Sequence, residues 1–200
     1  MEIWLSTVGL IVLGAVLTAL AVAGASHPVI HPAEQRVFRA LNTLPGWLLY
    51  VLWLPMQLGN LVVGTLAGLA IAWAYRDGEM AVAVVLAMLL KLGAERLLRR
   101  KMEPWLGVRQ RPGTSEPDAV LRGGDVPAEG MSFPSGHVIL VAAIATVVYN
   151  DIPGATLFVP FVLVALVMIG RVYVGAHNPL DVVAGAGVGL LVGGFLDIFL

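Results

Sequence analysis

Hydrophobic positions fall into six long blocks along this chain, separated by short polar stretches and one long one. The first block, Ile3 to Ala25, is uninterrupted. At about 1.5 Å per residue it is long enough to cross a hydrocarbon core of about 30 Å. Between Ser26 and Pro45 the composition turns polar, with Val37, Phe38 and Leu41 left to form one apolar face. This predicts a short amphipathic helix lying at the membrane interface. The second block, Trp47 to Tyr75, is too long for one untilted span. Pro55 is expected to divide it into a bent approach and a span from about Met56 to Tyr75. Gln57 and Asn60 then fall in the first turns of that span, where hydrogen bonding between helices is their expected use. Arg76-Asp77-Gly78-Glu79 reads as a tight turn, and Met80 to Leu98 as a third span closed by Arg96, Arg99, Arg100 and Lys101. The next thirty or so residues, through Gly130, are the one long polar loop. Gly136 to Tyr149, Ala155 to Gly170 and Leu180 to Leu200 complete the set. Gly185, Gly189 and Gly193 recur every fourth residue in the last span, which predicts close approach to a neighbouring helix.

The pattern predicts an all-α protein: a six-transmembrane-helix bundle with a short interfacial helix after the first span, forming a single membrane-embedded domain over residues 1–200. Composition agrees, with 58% hydrophobic residues, 12% charged residues and a mean hydropathy of +0.88. The first block begins with Glu2 and carries no Lys or Arg there, so a membrane helix is preferred to a cleaved secretory signal. A net charge of −1 predicts no nucleic-acid partner, and the absence of cysteine excludes disulfides. Nothing in the sequence specifies an oligomeric state. With six spans, the turns after the first, third and fifth share one face of the membrane. That face collects the amphipathic segment, the polar loop and the stretch from Arg171 to Asp181.

Ionisable groups inside a bilayer cost about 2.5 to 3.5 kcal/mol each, so Arg171, His177 and Asp181 between two apolar blocks call for an explanation. Asn178, Pro179 and Asp181 suit the N-cap, first and third positions of a helix. Asp181 also lies one turn from His177, where it can hold the imidazole in one tautomer and leave the other nitrogen free to attack. Ser135 is a natural N-cap for the fourth span, and the amides that follow it favour an anion. Arg171 and Arg109-Gln110-Arg111 supply guanidinium groups suited to phosphate oxygens. Arg36, Arg39, Arg99, Arg100 and Arg122 are expected to be lipid-headgroup anchors, and Asp197 an interfacial acid.

Pro134-Ser135-Gly136-His137 followed by Arg171-x5-His177-x3-Asp181 resembles the type 2 phosphatidic acid phosphatase (PAP2) superfamily of membrane lipid phosphatases. That family's signature is Lys-x6-Arg-Pro, then Pro-Ser-Gly-His, then Ser-Arg-x5-His-x3-Asp. The second part is intact here, and the third differs in having Gly170 for Ser. The first is irregular: Arg111-Pro112 ends it, but Pro104 stands at the lysine position and the nearest lysine, Lys101, is three residues too early. Either the loop has an insertion or another base, such as Arg109, takes the role. The resemblance implies a two-step phosphoryl transfer in which His177, oriented by Asp181, is the nucleophile and His137 the general acid and base. Lys101, Arg111, Arg171, Ser135 and Gly136 would hold the phosphate oxygens, with no metal and no cofactor. The implied partner is a membrane lipid substrate reached within the bilayer: undecaprenyl diphosphate, phosphatidic acid or phosphatidylglycerol phosphate.

Two other readings fit the same residues. One is a non-catalytic lipid-headgroup binder or transporter; the other is a metal site of His137, His177 and Asp181, disfavoured by the surrounding cations. Of twelve Lys and Arg residues only Arg76 lies on the far face, which by the positive-inside rule places the site in the cytoplasm. The resemblance implies the extracytoplasmic face of a bacterial inner membrane instead, and is preferred because several of those cations have other uses.

Overall fold

The computed structural model describes residues 6–26, 29–106, 109–124 and 126–200. Within them the regular structure is helical: α1 (Thr7–Gly24), α2 (Pro32–Asn42), α3 (Leu48–Gln57), α4 (Leu61–Tyr75), α5 (Gly78–Leu106), α6 (Pro112–Ser115), α7 (Gly136–Val148), α8 (Val159–Tyr173) and α9 (Pro179–Phe199). The single extended contact is an isolated antiparallel bridge between Gln110 and Met131. By length and composition, α1, α9 and the helical stretch Thr156–Tyr173 can each cross a membrane, and α3 with α4 can act as one broken span. Six spans are therefore not marked by this measure. The reasons are local: α7 is apolar but only 13 residues long, and α5 has the length but carries Lys91, Glu95 and Arg96 from its middle onward.

The core is built on α7, whose residues from Val138 to Val148 are all buried. Such a helix, apolar all round, has to be enclosed by others, and here α4, α5, α8 and α9 enclose it. α9 approaches it through small residues. A Cβ on Gly189 would lie 2.5 Å from the Cβ of Ala142, and one on Gly185 2.7 Å from the Ser135 carbonyl. Gly187 and Gly14 bring α1 against another side of α9 in the same manner. Far from the polar loop, the Asp197 carboxylate bonds Thr7 and, at 2.9 Å, Asn150, so it ties three segments together and is more than an interfacial acid.

Three expected boundaries move. Pro55 lies inside α3, and the break comes later, at residues 58–60, where the helix axis turns by 66°. There the Asn60 side chain accepts from the amides of Val62 and Val63 and so restarts the chain as α4. Among the described residues neither Asn60 nor Gln57, which donates to the Trp53 carbonyl, bonds between helices. α5 runs on through the basic residues to Leu106, so Arg96 to Lys101 belong to a helix and not to the polar loop. In α2 the buried face is Glu34, Phe38 and Asn42, with Leu41 half-buried, while Val37 faces outward.

Overpacking a tight helix contact costs about 1 to 3 kcal/mol. Gly189→Ala should therefore lower the Tm in detergent, whereas Gly78→Ala, with nothing within 4 Å of its Cβ, should not.

Candidate active site

Asp181 occupies the first turn of α9, and its carboxylate is fully buried. Oδ2 accepts the Asn178 amide at 2.8 Å, which closes the start of the helix as expected. Oδ1 accepts from Nε of Arg109 at 2.9 Å. Arg109 is itself fully buried, and its Nη2 donates to Oε1 of Glu34, an oxygen that also takes the Leu180 amide at 2.9 Å. A chain of buried charge thus runs from α2 through the polar loop to α9. Arg109 is committed to two carboxylates, so it does not substitute for the missing motif lysine. Glu34 had no motif to mark it; the signal was its spacing of four from Phe38 on the face of α2 that turns inward.

His177 sits in the loop between α8 and α9, with its Nδ1 3.7 Å from Oδ2 of Asp181. Gly175, at φ 80°, turns the chain so that the amides of Ala176 and His177 both reach the Arg171 carbonyl, at 3.0 and 3.3 Å. Burial pushes the His177 imidazole below its ordinary value; Asp181 opposes this, and the Arg171 and Arg111 charges add to it. Arg111, also buried, donates to the Ala176 carbonyl at 2.8 Å and so rests against the same loop.

Ser135 stands at the N-cap of α7, but its side chain makes no cap bond, and its buried Oγ has no hydrogen-bond partner among the described residues. Its amide donates to the Asp181 carbonyl at 3.0 Å, which joins the start of α7 to the start of α9. Past it, the first amides of α7 lack partners within the helix and mark an anion-binding position. His137 is held from the other side by the α3–α4 break, because a Cβ on Gly59 would lie 2.7 Å from the His137 Cβ.

His137 and Arg171 line a cavity of about 450 Å³. Leu49, Trp53 and Met56 of α3 form its apolar wall, and Gln57, Asn60 and Arg122 add polar groups. His177 lies outside this lining and is 3% exposed. Met56 also accounts for Gly170: a Cβ there would fall 2.6 Å from the Met56 side chain, so α3 takes the space a serine would need.

Among the predicted residues, the structure thus gathers His137, His177, Asp181, Arg111, Arg171, Ser135 and Gly136 at one end of the bundle. Lys101 is not gathered with them; it is exposed and makes no hydrogen bond or ion pair with the described residues. Three expected headgroup anchors are otherwise engaged. Arg122 lies 4.4 Å over the Tyr173 ring and donates to the Tyr173 carbonyl at 2.9 Å, Arg39 pairs with Glu116, and Arg99 pairs with Glu95. Arg36 and Arg100 are exposed. Among the described residues no three His, Asp or Glu side chains converge as metal ligands, and both Asp181 oxygens are already engaged.

Residues 77–197 match the sequence profile of the PAP2 superfamily. No curated protein matches the chain. The fold is similar to that of LpxE from Aquifex aeolicus, at a TM-score of 0.69 and 24% identity, over 84% of this chain and 96% of that one. It is also similar to the first transmembrane PAP2 type phosphatidylglycerolphosphate phosphatase from Bacillus subtilis, at 0.59 and 23%, over 96% and 94% of the two chains.

Truncating one member of a buried ionic cluster costs about 3 to 5 kcal/mol, against about 0.5 kcal/mol at most for an exposed side chain. Thermal unfolding in detergent should therefore show Arg109→Ala severely destabilised and Arg36→Ala close to wild type.

Proposed function

The chain belongs to the PAP2 superfamily, and from that premise we propose that it is an integral-membrane lipid phosphatase working through a phosphohistidine. The observation that carries this reading is the union at one end of the bundle of a buried His177–Asp181 pair, two arginines and an α7 N-terminus with an unspent serine hydroxyl. Asp181 faces Nδ1 of His177, so Nε2 is the atom that attacks. It forms a bond to phosphorus as the bond from phosphorus to the lipid oxygen breaks, and His137 gives that oxygen a proton. His137 then takes a proton from water, whose oxygen displaces Nε2, and inorganic phosphate leaves. Arg111, Arg171, Ser135 and the Gly136 amide hold the phosphoryl oxygens as charge spreads over them. The cations carry the electrostatic role a metal has elsewhere, so the reaction needs no metal and no cofactor.

The cavity's apolar wall from Leu49, Trp53 and Met56 suits a substrate delivered from the bilayer. Undecaprenyl diphosphate, phosphatidic acid and phosphatidylglycerol phosphate are the classes to assay. The membrane layout we propose counts α5 and α7 with the apolar helices as six spans, in the inner membrane, with the site on the extracytoplasmic face. A reporter fused after Leu200 should then read as cytoplasmic, because α9 starts at the site and ends at the opposite face.

Wild-type protein should release phosphate from at least one of these lipids, with EDTA present. His177→Ala should abolish turnover and the acid-labile phosphoprotein seen on rapid quench, and His137→Ala should slow turnover by about 10² to 10⁴. Full activity in His177→Ala would sink the reading, and a lipid bound without turnover would favour the headgroup-binder alternative. The nucleophile must be unprotonated and His177 is pushed below its ordinary value. The acid limb of kcat/KM should therefore fall below pH of about 6.5.

A further inference from the structure

Lys91, Glu95 and Arg99 follow one another at four-residue spacing on α5 and form one ladder. The Glu95 carboxylate receives Lys91 Nζ at 2.7 Å and Arg99 Nη2 at 2.7 Å. Its position is the unexpected part. It lies against the first residue of α7, so close that a Cβ on Gly136 would overlap the whole carboxyl group, at 2.7 Å from its carbon. That is where a helix start favours an anion. The same place is reached by the other cations: Lys91 interacts electrostatically with His137, and Arg111 with both Arg99 and Glu95.

We infer that Lys91 and Arg99 are phosphate-binding residues that take the place of the missing motif lysine, and that Glu95 is a carboxylate placeholder displaced when the phosphate arrives. This rests on the reading of the site as one for lipid phosphates. A carboxylate is the side chain closest in charge and shape to a phosphoryl group, and here it keeps two cations extended toward the start of α7. A phosphate bears more negative charge and more acceptor oxygens, and takes both cations over. Lys101 does not compete for the role: at 100° per residue it stands about 200° around the helix from Arg99. That places it on the outward side, in keeping with its exposure. The substitution of Pro104 for the motif lysine is thereby offset from about one and a half and three and a half helical turns earlier, by residues that the spacing rule does not inspect.

The test uses the full chain in detergent, with the KM for the lipid phosphate it cleaves and inhibition by inorganic phosphate as the two readouts. Losing one charge-assisted phosphate contact should raise the KM and the inhibition constant for inorganic phosphate by about tenfold each in Lys91→Met and in Arg99→Ala, with Arg100→Ala unchanged. Arg99→Lys should recover most of the loss, which separates lost charge from lost fold. Glu95→Gln keeps the shape without the charge and should let inorganic phosphate inhibit at lower concentration. Wild-type values in both Lys91→Met and Arg99→Ala would overturn the inference, whatever Lys101→Ala does, and so would weaker inhibition in Glu95→Gln. If the wild type cleaves no lipid phosphate, the phosphatase reading fails, and calorimetric titration of the same variants with inorganic phosphate still decides this one.

Discussion

The charge on Asp181 is the constraint that the functional end of this molecule is arranged around. A carboxylate wholly removed from water is unfavourable by several kcal/mol unless donors surround it. Here one oxygen takes the Asn178 amide and the other the Arg109 guanidinium. Satisfying Asp181 buries Arg109, and burying Arg109 requires a second acid, Glu34, whose oxygen also secures the Leu180 amide at the same helix start. Each step recruits a different part of the chain: α9, the polar loop, then α2. α2 is thereby fixed to the site by a buried ionic contact as well as by the packing of Phe38.

That network sits on a rigid base because α9 is a helix with two small-residue faces. One receives α7 through Gly185, Gly189 and Gly193, and the other receives α1 through Gly187 and Gly194. The α7 contact matters most for chemistry. Gly185 lies under the Ser135 carbonyl, and the Ser135 amide bonds the Asp181 carbonyl. The start of α7 and the carboxylate that faces His177 are therefore parts of one unit, held by backbone contacts on both sides. Positioning of this kind, with groups fixed before substrate arrives, is what phosphoryl transfer chiefly asks of a protein.

Most of this was legible in the sequence where a residue type has few uses in an apolar chain. Arg171, His177 and Asp181 stood out by their cost, and the α7 and α9 starts were readable from Ser135, Asn178 and Pro179. The glycine spacing of α9 correctly announced close helix approach. What failed to show was anything that depends on which way a helix faces. Glu34 was not singled out, because its one signal, the spacing of four from Phe38, tells only once α2 is seen to turn that face inward. Pro55 looked like the break, yet the break lies where Gly59 meets His137 and Asn60 can cap α4, a tertiary contact and a local cap that outweigh the proline. Ser135 was expected to spend its hydroxyl on the helix and bonds it to none of the described residues.

The irregular first motif shows the same limit from the other side. A spacing rule such as Lys-x6-Arg-Pro is a proxy for geometry, and it holds only while the intervening chain keeps one conformation. Here α5 remains helical to Leu106, so distance along the chain no longer measures reach toward α7; angular position around α5 does. Charge balance argues the same way. Arg111 and Arg171 are both buried at this end of the bundle, with Lys91 and Arg99 close by. Four like charges so placed would repel one another with no anion among them. A carboxylate of the chain's own, set against Gly136, relieves that repulsion in the absence of substrate. Under the proposed function, a phosphate carrying two charges would displace this singly charged carboxylate.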